Sequence, residues 1–213
     1  MTKLVITSTC LLLLLITLIA PTAFAQIPEG IRPVVKGALV TTIFNSSEIK
    51  DADAGFGYSF GAGAIIPLGN PAFSIQPEVN YVDKRAWVRV QEGDSPGLTL
   101  AQYELQFSYL DIPVVANWYF SRAPELRIYL QGGAMASLRL SSKLEDEVNG
   151  EIVKKDIEGL NDLTWGIPIG IGLQAGRITV EMRYDIGLTK VGNVEDAGDP
   201  RIDTLNFLFG FVF

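Results

Sequence analysis

The charged residues are the main candidates for catalysis or ligand binding in this 213-residue chain, because the sequence contains no histidine and a single cysteine, Cys10. Without histidine the chain cannot form a Ser-His-Asp triad, a histidine general base or the usual transition-metal site. A hydrolase that uses two carboxylates needs no histidine, but no carboxylate pair stands out. We therefore expect no catalytic residue, no metal ion and no cofactor.

Eight charged residues lie on one side of segments with strand periodicity, so we expect them all on inward faces. They are Lys36, Glu78, Glu104, Asp111, Arg127, Glu181, Arg183 and Asp185. Buried charges are costly unless they pair, and side chains just fill the interior of an eight-stranded barrel. We predict that these residues pair across strands and plug the lumen. A gated polar path for ions or small solutes is the alternative.

Residues 1–25 have the features of a cleaved signal peptide. A short positive start precedes a leucine-rich run from Leu11 to Ala20, and Ala23-Phe24-Ala25 has the form of a signal-peptidase site. The run is shorter than the roughly 20 residues of a membrane-spanning helix. We predict export, loss of Cys10 with the signal, and one mature domain, 26–213. Its 16 basic and 24 acidic residues argue against a nucleic-acid partner.

Hydrophobicity in the rest of the chain follows a period of two. The mean hydropathy is +0.26, yet no apolar run beyond residue 25 reaches the 18 residues expected of a membrane helix. Instead, Ile178, Val180 and Met182 alternate with polar residues, which is the pattern of a strand with one apolar face. The segments 72–81, 163–174 and 205–213 repeat it.

We predict eight antiparallel strands and an all-β fold. Their expected bounds are 32–44, 56–66, 72–90, 98–119, 124–142, 162–175, 177–190 and 203–213. Short turns alternate with longer polar connections, as in a transmembrane β-barrel of the outer membrane. An even number of strands places both termini on the short-turn side, which is the periplasm. A β-sandwich or a lipocalin-like barrel would instead bury its apolar faces, whereas here the polar faces carry glycine and charges.

Two local features refine this picture. The apolar phase changes between Tyr109 and Ile112, and the extra residue predicts a β-bulge near Asp111, with Pro113 beside it. The last strand places Phe209, Phe211 and Phe213 on one face. Alternating aromatics that end in a terminal phenylalanine resemble the signal that outer-membrane barrels present to their assembly machinery, so that machinery is an expected partner.

The segment Tyr109 to Pro113, followed by Val114 to Phe120, resembles the YLEIP segment of the PorT-like outer-membrane β-barrel family of Bacteroidota. Tyr129 to Ala134 is similar to the glycine-rich strand that follows in that family, and Val35 to Ala38 to its opening strand. Asp111 stands where glutamate is commoner. The resemblance implies an eight-stranded barrel in the outer membrane and no particular activity.

The long connections are expected to face outward and to carry the acidity. Residues 141–162 have seven acidic and three basic side chains, and Asn149-Gly150 predicts a hairpin that sets Glu147 opposite Ile152 and Glu145 opposite Lys154. We expect a non-enzymatic barrel with a structural or interaction role, for instance within a surface or secretion assembly. Lipid, lipopolysaccharide and a protein bound at the outer loops are the expected partners. A narrow channel or porter is the alternative.

Overall fold

The computed structural model describes residues 30–45, 52–91, 100–123, 126–148, 151–156, 161–190 and 201–213. Within them it describes all side chains except those of 44–45, 52–53, 86–91, 100–105, 122, 143–148 and 151–156. The predicted signal peptide, Cys10 and the Asn149-Gly150 turn lie outside the described residues. So does the side chain of Glu104.

Nine antiparallel strand segments occur in the described ranges. They are β1 (Arg32–Asn45), β2 (Ala52–Leu68), β3 (Asn70–Gln91), β4 (Leu100–Arg122), β5 (Arg127–Val148), β6 (Glu151–Asp156), β7 (Leu163–Ala175), β8 (Ile178–Gly187) and β9 (Arg201–Val212). Eight of them follow the order β4-β3-β2-β1-β9-β8-β7-β5, and β4 pairs with β5 to close the sheet into a barrel. The predicted eight-stranded antiparallel barrel is confirmed, and β6 is an additional strand on the edge of β5.

Short turns gather at one end of the barrel, which we call the short-turn end. Gly69 and Gly176 adopt φ values of +71° and +56° there, a backbone conformation that favours glycine in tight turns. The first and last strands meet at the same end, where Val34 is opposite Val212. The opposite end, which carries the longer connections, is called the long-loop end.

The two faces of the barrel wall have reversed polarity compared with a soluble protein. Outward side chains such as Leu39, Phe56 and Phe209 are 64%, 76% and 58% exposed, whereas the inward Glu181 and Arg183 are 2% and 3% exposed. The outward faces of β7, β8 and β9 are those that the alternation predicted. The described residues contain no helix long and apolar enough to cross a membrane.

The predicted bulge at Asp111 is wrong. The register between β3 and β4 stays the same from Phe73–Trp118 to Gln91–Leu100. Phe107 and Tyr109 face inward and are 2% exposed, so the apolar phase changes because the inner wall becomes aromatic there. The nearest extra residue lies on the partner strand, where the pairing with β5 passes over Leu140.

One side of the barrel is much taller than the other. β3, β4 and β5 contain 22, 23 and 22 residues, whereas β7, β8 and β9 contain 13, 10 and 12. Since about 9–11 tilted residues cross a bilayer, the long strands continue well past it at the long-loop end. There β5 and β6 pair Glu145 with Lys154 and Glu147 with Ile152, which confirms the predicted hairpin register.

Candidate functional site: the charged lumen

Two acidic and two basic side chains meet in the lower half of the lumen, nearer the short-turn end. Lys36 comes from β1, Glu78 from β3, and Glu181 and Arg183 from β8. The period of two in each strand turns these polar residues inward while their neighbours face outward. Their side chains are between 0% and 3% exposed. We call these four residues the lower cluster.

The lower cluster is a closed ring of ion pairs. Lys36 Nζ lies 2.7 Å from Glu78 Oε1 and 2.6 Å from Glu181 Oε1. Arg183 donates from Nη1 and Nη2 to the two carboxylate oxygens of Glu78, at 2.9 and 3.0 Å, and Nη2 also reaches Glu181 Oε2 at 3.1 Å. The charges balance, and each carboxylate is bound by both cations. Such pairing offsets the cost of removing four charges from water.

Neutral polar groups add further hydrogen bonds to the two carboxylates of the ring. Tyr129 Oη donates to Glu181 Oε1 at 2.7 Å, and Gln76 Nε2 donates to Glu78 Oε1 at 2.6 Å. Gln131 both donates to Glu181, at 3.2 Å, and accepts from Arg183, at 2.9 Å. Every carboxylate oxygen of the lower cluster therefore accepts at least two hydrogen bonds, and the ring is held in one geometry.

Inward glycines let these side chains reach across a whole strand. Lys36 is opposite Gly61 on β2 and opposite Gly210 on β9, so its chain can pass over either neighbour to β3 or to β8. A Cβ on Gly210 would lie 3.1 Å from Lys36 Cγ. Gly172 likewise separates Tyr129 from Glu181, and a Cβ there would collide with the tyrosine ring.

A second charged group lies higher in the lumen and is called the upper cluster. Lys84 Nζ is 3.2 Å from Asp111 Oδ2 and stands 4.7 Å above the centre of the Tyr109 ring. Asp185 accepts hydrogen bonds from Thr204 Oγ1 at 3.2 Å and from Asn206 Nδ2 at 2.7 Å. Asp111, Lys84 and Asp185 are 3%, 5% and 8% exposed. This cluster contains one more acid than base.

Below the lower cluster the lumen is filled at two further levels. Tyr119 and Tyr129 pack with ring centres 5.1 Å apart, and Asn117 donates to Gln76 Oε1 at 2.9 Å. At the short-turn end, Val34, Ile65 and Val212 form an apolar cluster. Side chains therefore occupy the lumen from the upper cluster to the short-turn end.

The structure distributes the eight predicted lumen charges over several places. Lys36, Glu78, Glu181 and Arg183 form the lower cluster, and Asp111 and Asp185 belong to the upper one. Arg127 is half-buried at the short-turn end, opposite Gln174, and makes no ion pair with the described residues of either cluster. Glu104 lies in the part of β4 whose side chains are not described.

Two important lumen residues were not singled out from the sequence. Lys84 continues the inward series of Glu78, Asn80 and Val82, so following the alternation further along β3 would have found it. In the sequence, Tyr129 stands out only as part of a glycine-rich strand. The structure shows that its side chain passes over Gly172 on the neighbouring strand and reaches Glu181.

The charged groups of the lower cluster are enclosed and bind one another. Both carboxylates are bound by two cations, and no side chain of the ring is more than 3% exposed. No group of three or more Asp or Glu side chains that could hold a metal ion occurs in the described part of the chain. The arrangement links β1, β3 and β8 across the lumen by buried ion pairs.

Residues 24–193 match a protein family described as outer membrane protein beta-barrel domain. No curated protein matches the sequence. Among solved structures, the chain is similar to Neisserial surface protein A, with 15% identity, 87% of this chain and 98% of that chain covered, and a TM-score of 0.45. It is also similar to OprG from Pseudomonas aeruginosa, with 9% identity and a TM-score of 0.45. The match covers 86% of this chain and 96% of that chain.

A further similar structure is Ail, the attachment invasion locus protein of Yersinia pestis, in complex with the heparin analogue sucrose octasulfate. It shares 11% identity, with 86% of this chain and 99% of that chain covered and a TM-score of 0.43.

Proposed function

This chain belongs to the outer membrane protein beta-barrel domain family, and we propose that it is a non-enzymatic outer-membrane barrel with a closed lumen and an interaction surface at its long-loop end. Both termini then face the periplasm, because they lie at the short-turn end. The resemblance of Tyr109–Pro113 to the YLEIP segment supports the PorT-like branch of Bacteroidota barrels as its place within this family.

The single observation that carries the closed lumen is the lower cluster. An ion that crosses the barrel would have to displace Lys36 and Arg183 from two carboxylates that bind them at 2.6–3.1 Å. Leaving such charges unpaired inside a barrel costs several kcal/mol. The tyrosine pair and the apolar cluster below it add two more obstacles, so the barrel acts as a scaffold rather than as a pore.

The interaction role rests on the tall side of the barrel. β4 alone is about 75 Å long at the usual rise per residue, and β3 to β6 form a continuous sheet at the long-loop end. Residues 141–162 carry an excess of four negative charges. An acidic sheet beyond the bilayer suits a protein partner with a basic surface, or lipopolysaccharide bridged by divalent cations, in a surface or secretion assembly.

Planar bilayer recording tests the closed lumen. We expect no steady conductance from the purified barrel, because the lower cluster blocks the path. Steady single-channel steps would refute the closed lumen and favour the second candidate, a narrow channel or porter, which the polar lining of the lumen supports.

Crosslinking in intact cells tests the interaction surface, with a photoreactive residue placed between positions 141 and 162 as bait. We expect a discrete crosslinked species from this loop, and none from a matched probe at a short-turn position such as Gly69. Protease added to intact cells should cleave the 141–162 segment. If this segment is neither cleaved nor crosslinked, the result would contradict an outward-facing interaction surface.

A further inference from the structure

A small cavity lies in the lumen between the lower and upper clusters. Its volume is about 20 Å³, which suffices for one water molecule. We call it the central cavity, and the residues that line it include Asp111, Arg183, Asp185 and Val82.

Three polar atoms of the residues that line the central cavity have no hydrogen-bond partner among the residues that the structure describes. They are Asp111 Oδ1, Asp185 Oδ1 and Arg183 Nε. Each of these residues is more than nine-tenths buried, and a buried charged group without a hydrogen-bond partner is energetically unfavourable. Buried polar atoms are nearly always paired with protein or with ordered water.

The types of these atoms decide between the possible occupants. Two are acceptors on carboxylates, and the third is a donor on a guanidinium. A small cation would satisfy the two carboxylate oxygens but would leave Arg183 Nε without a partner and would add a second positive charge beside it. Water accepts from Arg183 and donates two hydrogens to the two carboxylates, so it matches all three.

We propose that the central cavity binds one water molecule, which accepts from Arg183 Nε and donates to Asp111 Oδ1 and Asp185 Oδ1. This water joins the lower cluster to the upper one, so that a chain of hydrogen bonds and ion pairs runs from Lys36 to Lys84. The bound water lies in the lumen whose closure is proposed above, but its presence is measured independently of conductance.

Nuclear magnetic resonance of the chain extracted from outer membranes into detergent micelles tests the site directly, with water as the probe. We expect a cross-peak between a long-lived water and Arg183 Nε–H. An assigned Arg183 Nε–H signal without that cross-peak would show that the cavity is dry and would overturn the proposal.

Thermal unfolding in different salts separates water from a cation. The unfolding midpoint is expected to be the same in sodium, potassium and choline chloride at equal ionic strength, because a neutral occupant adds no specific cation dependence. A midpoint raised by sodium or potassium alone, and not raised in Asp185→Asn, would overturn the proposal in favour of a cation site.

A cavity-filling pair of variants tests the location. Val82→Ile adds a methylene to a residue that lines the central cavity, and we expect it to abolish the water cross-peak. Val212→Ile adds the same group at the apolar cluster of the short-turn end, and we expect it to leave the cross-peak unchanged. A cross-peak that survives in folded Val82→Ile would contradict the assignment, and if this variant fails to fold, the wild-type measurement still decides.

Discussion

Replacing Glu181 with glutamine should destabilise the barrel strongly without changing its shape. The Glu181 carboxylate accepts five hydrogen bonds, two from Lys36 and one each from Tyr129, Gln131 and Arg183. The glutamine amide has a single oxygen with two lone pairs, so at most two of the five hydrogen bonds survive. Its NH₂ group is itself a donor and would face the donors that the carboxylate oxygen binds in the wild type. The buried ring is also left with one uncompensated positive charge.

The size of the effect follows from this count. At least three of the five bonds are lost, and removal of one partner from a buried ion pair costs about 3–5 kcal/mol. We therefore expect Glu181→Gln to lower the free energy of unfolding by about 3–5 kcal/mol. Urea unfolding of the barrel in lipid vesicles measures this, provided that the slope with urea concentration is unchanged.

Two comparisons make the measurement specific. Asp162→Asn removes the same charge from the ion pair with Arg139, in which the Asp162 side chain is 85% exposed, and should cost less than about 1 kcal/mol. Lys36→Met combined with Glu181→Gln leaves the neutral pair of Arg183 and Glu78, so the double variant should be more stable than Glu181→Gln alone. A cost below about 1 kcal/mol for Glu181→Gln, or strict additivity in the double variant, would refute the reasoning.

Two further predictions concern packing and assembly. Gly172→Ala places a methyl group against the Tyr129 ring and should lower the free energy of unfolding in urea by about 1–3 kcal/mol. In the control Gly132→Ala the nearest contact of the new methyl group would be 3.9 Å away, so the free energy of unfolding should change by no more than about 0.5 kcal/mol. Equal losses in the two variants would contradict the proposal that Gly172 lets Tyr129 reach across a strand. Phe213→Ser should lower the amount of barrel assembled in the outer membrane of cells but leave the unfolding free energy of the refolded protein nearly unchanged. Normal assembly of this variant would argue against an assembly signal at Phe209, Phe211 and Phe213.

The period of two was sufficient to predict much of the wall. Strict alternation from Ile178 to Asp185 placed Glu181 and Arg183 inward, because a strand turns successive side chains to opposite faces. The Asn149-Gly150 pair likewise gave the register of Glu145 with Lys154, since a two-residue turn fixes which residues are opposite each other.

The pattern failed where the apolar face of β4 changes from the outer side of the barrel to the lumen. Phe107 and Tyr109 look the same in sequence whether they face outward or line the lumen, so the change of phase suggested a bulge that the register of β3 and β4 does not contain. Both side chains face inward and are 2% exposed, and Lys84 of β3 lies over the Tyr109 ring, a contact between strands that the sequence of β4 alone does not show.

Alternation along the strands predicts the charged lumen as a set of inward side chains, but which of these side chains meet depends on the closed barrel. Lys36 pairs with Glu78 and Glu181 although a strand lies between them on either side. The stagger of the strands puts Gly61 and Gly210 beside Lys36, and the absent side chains leave it a path. Alternation gives the face of a residue, whereas its height and its partners depend on a register that is fixed when the sheet closes.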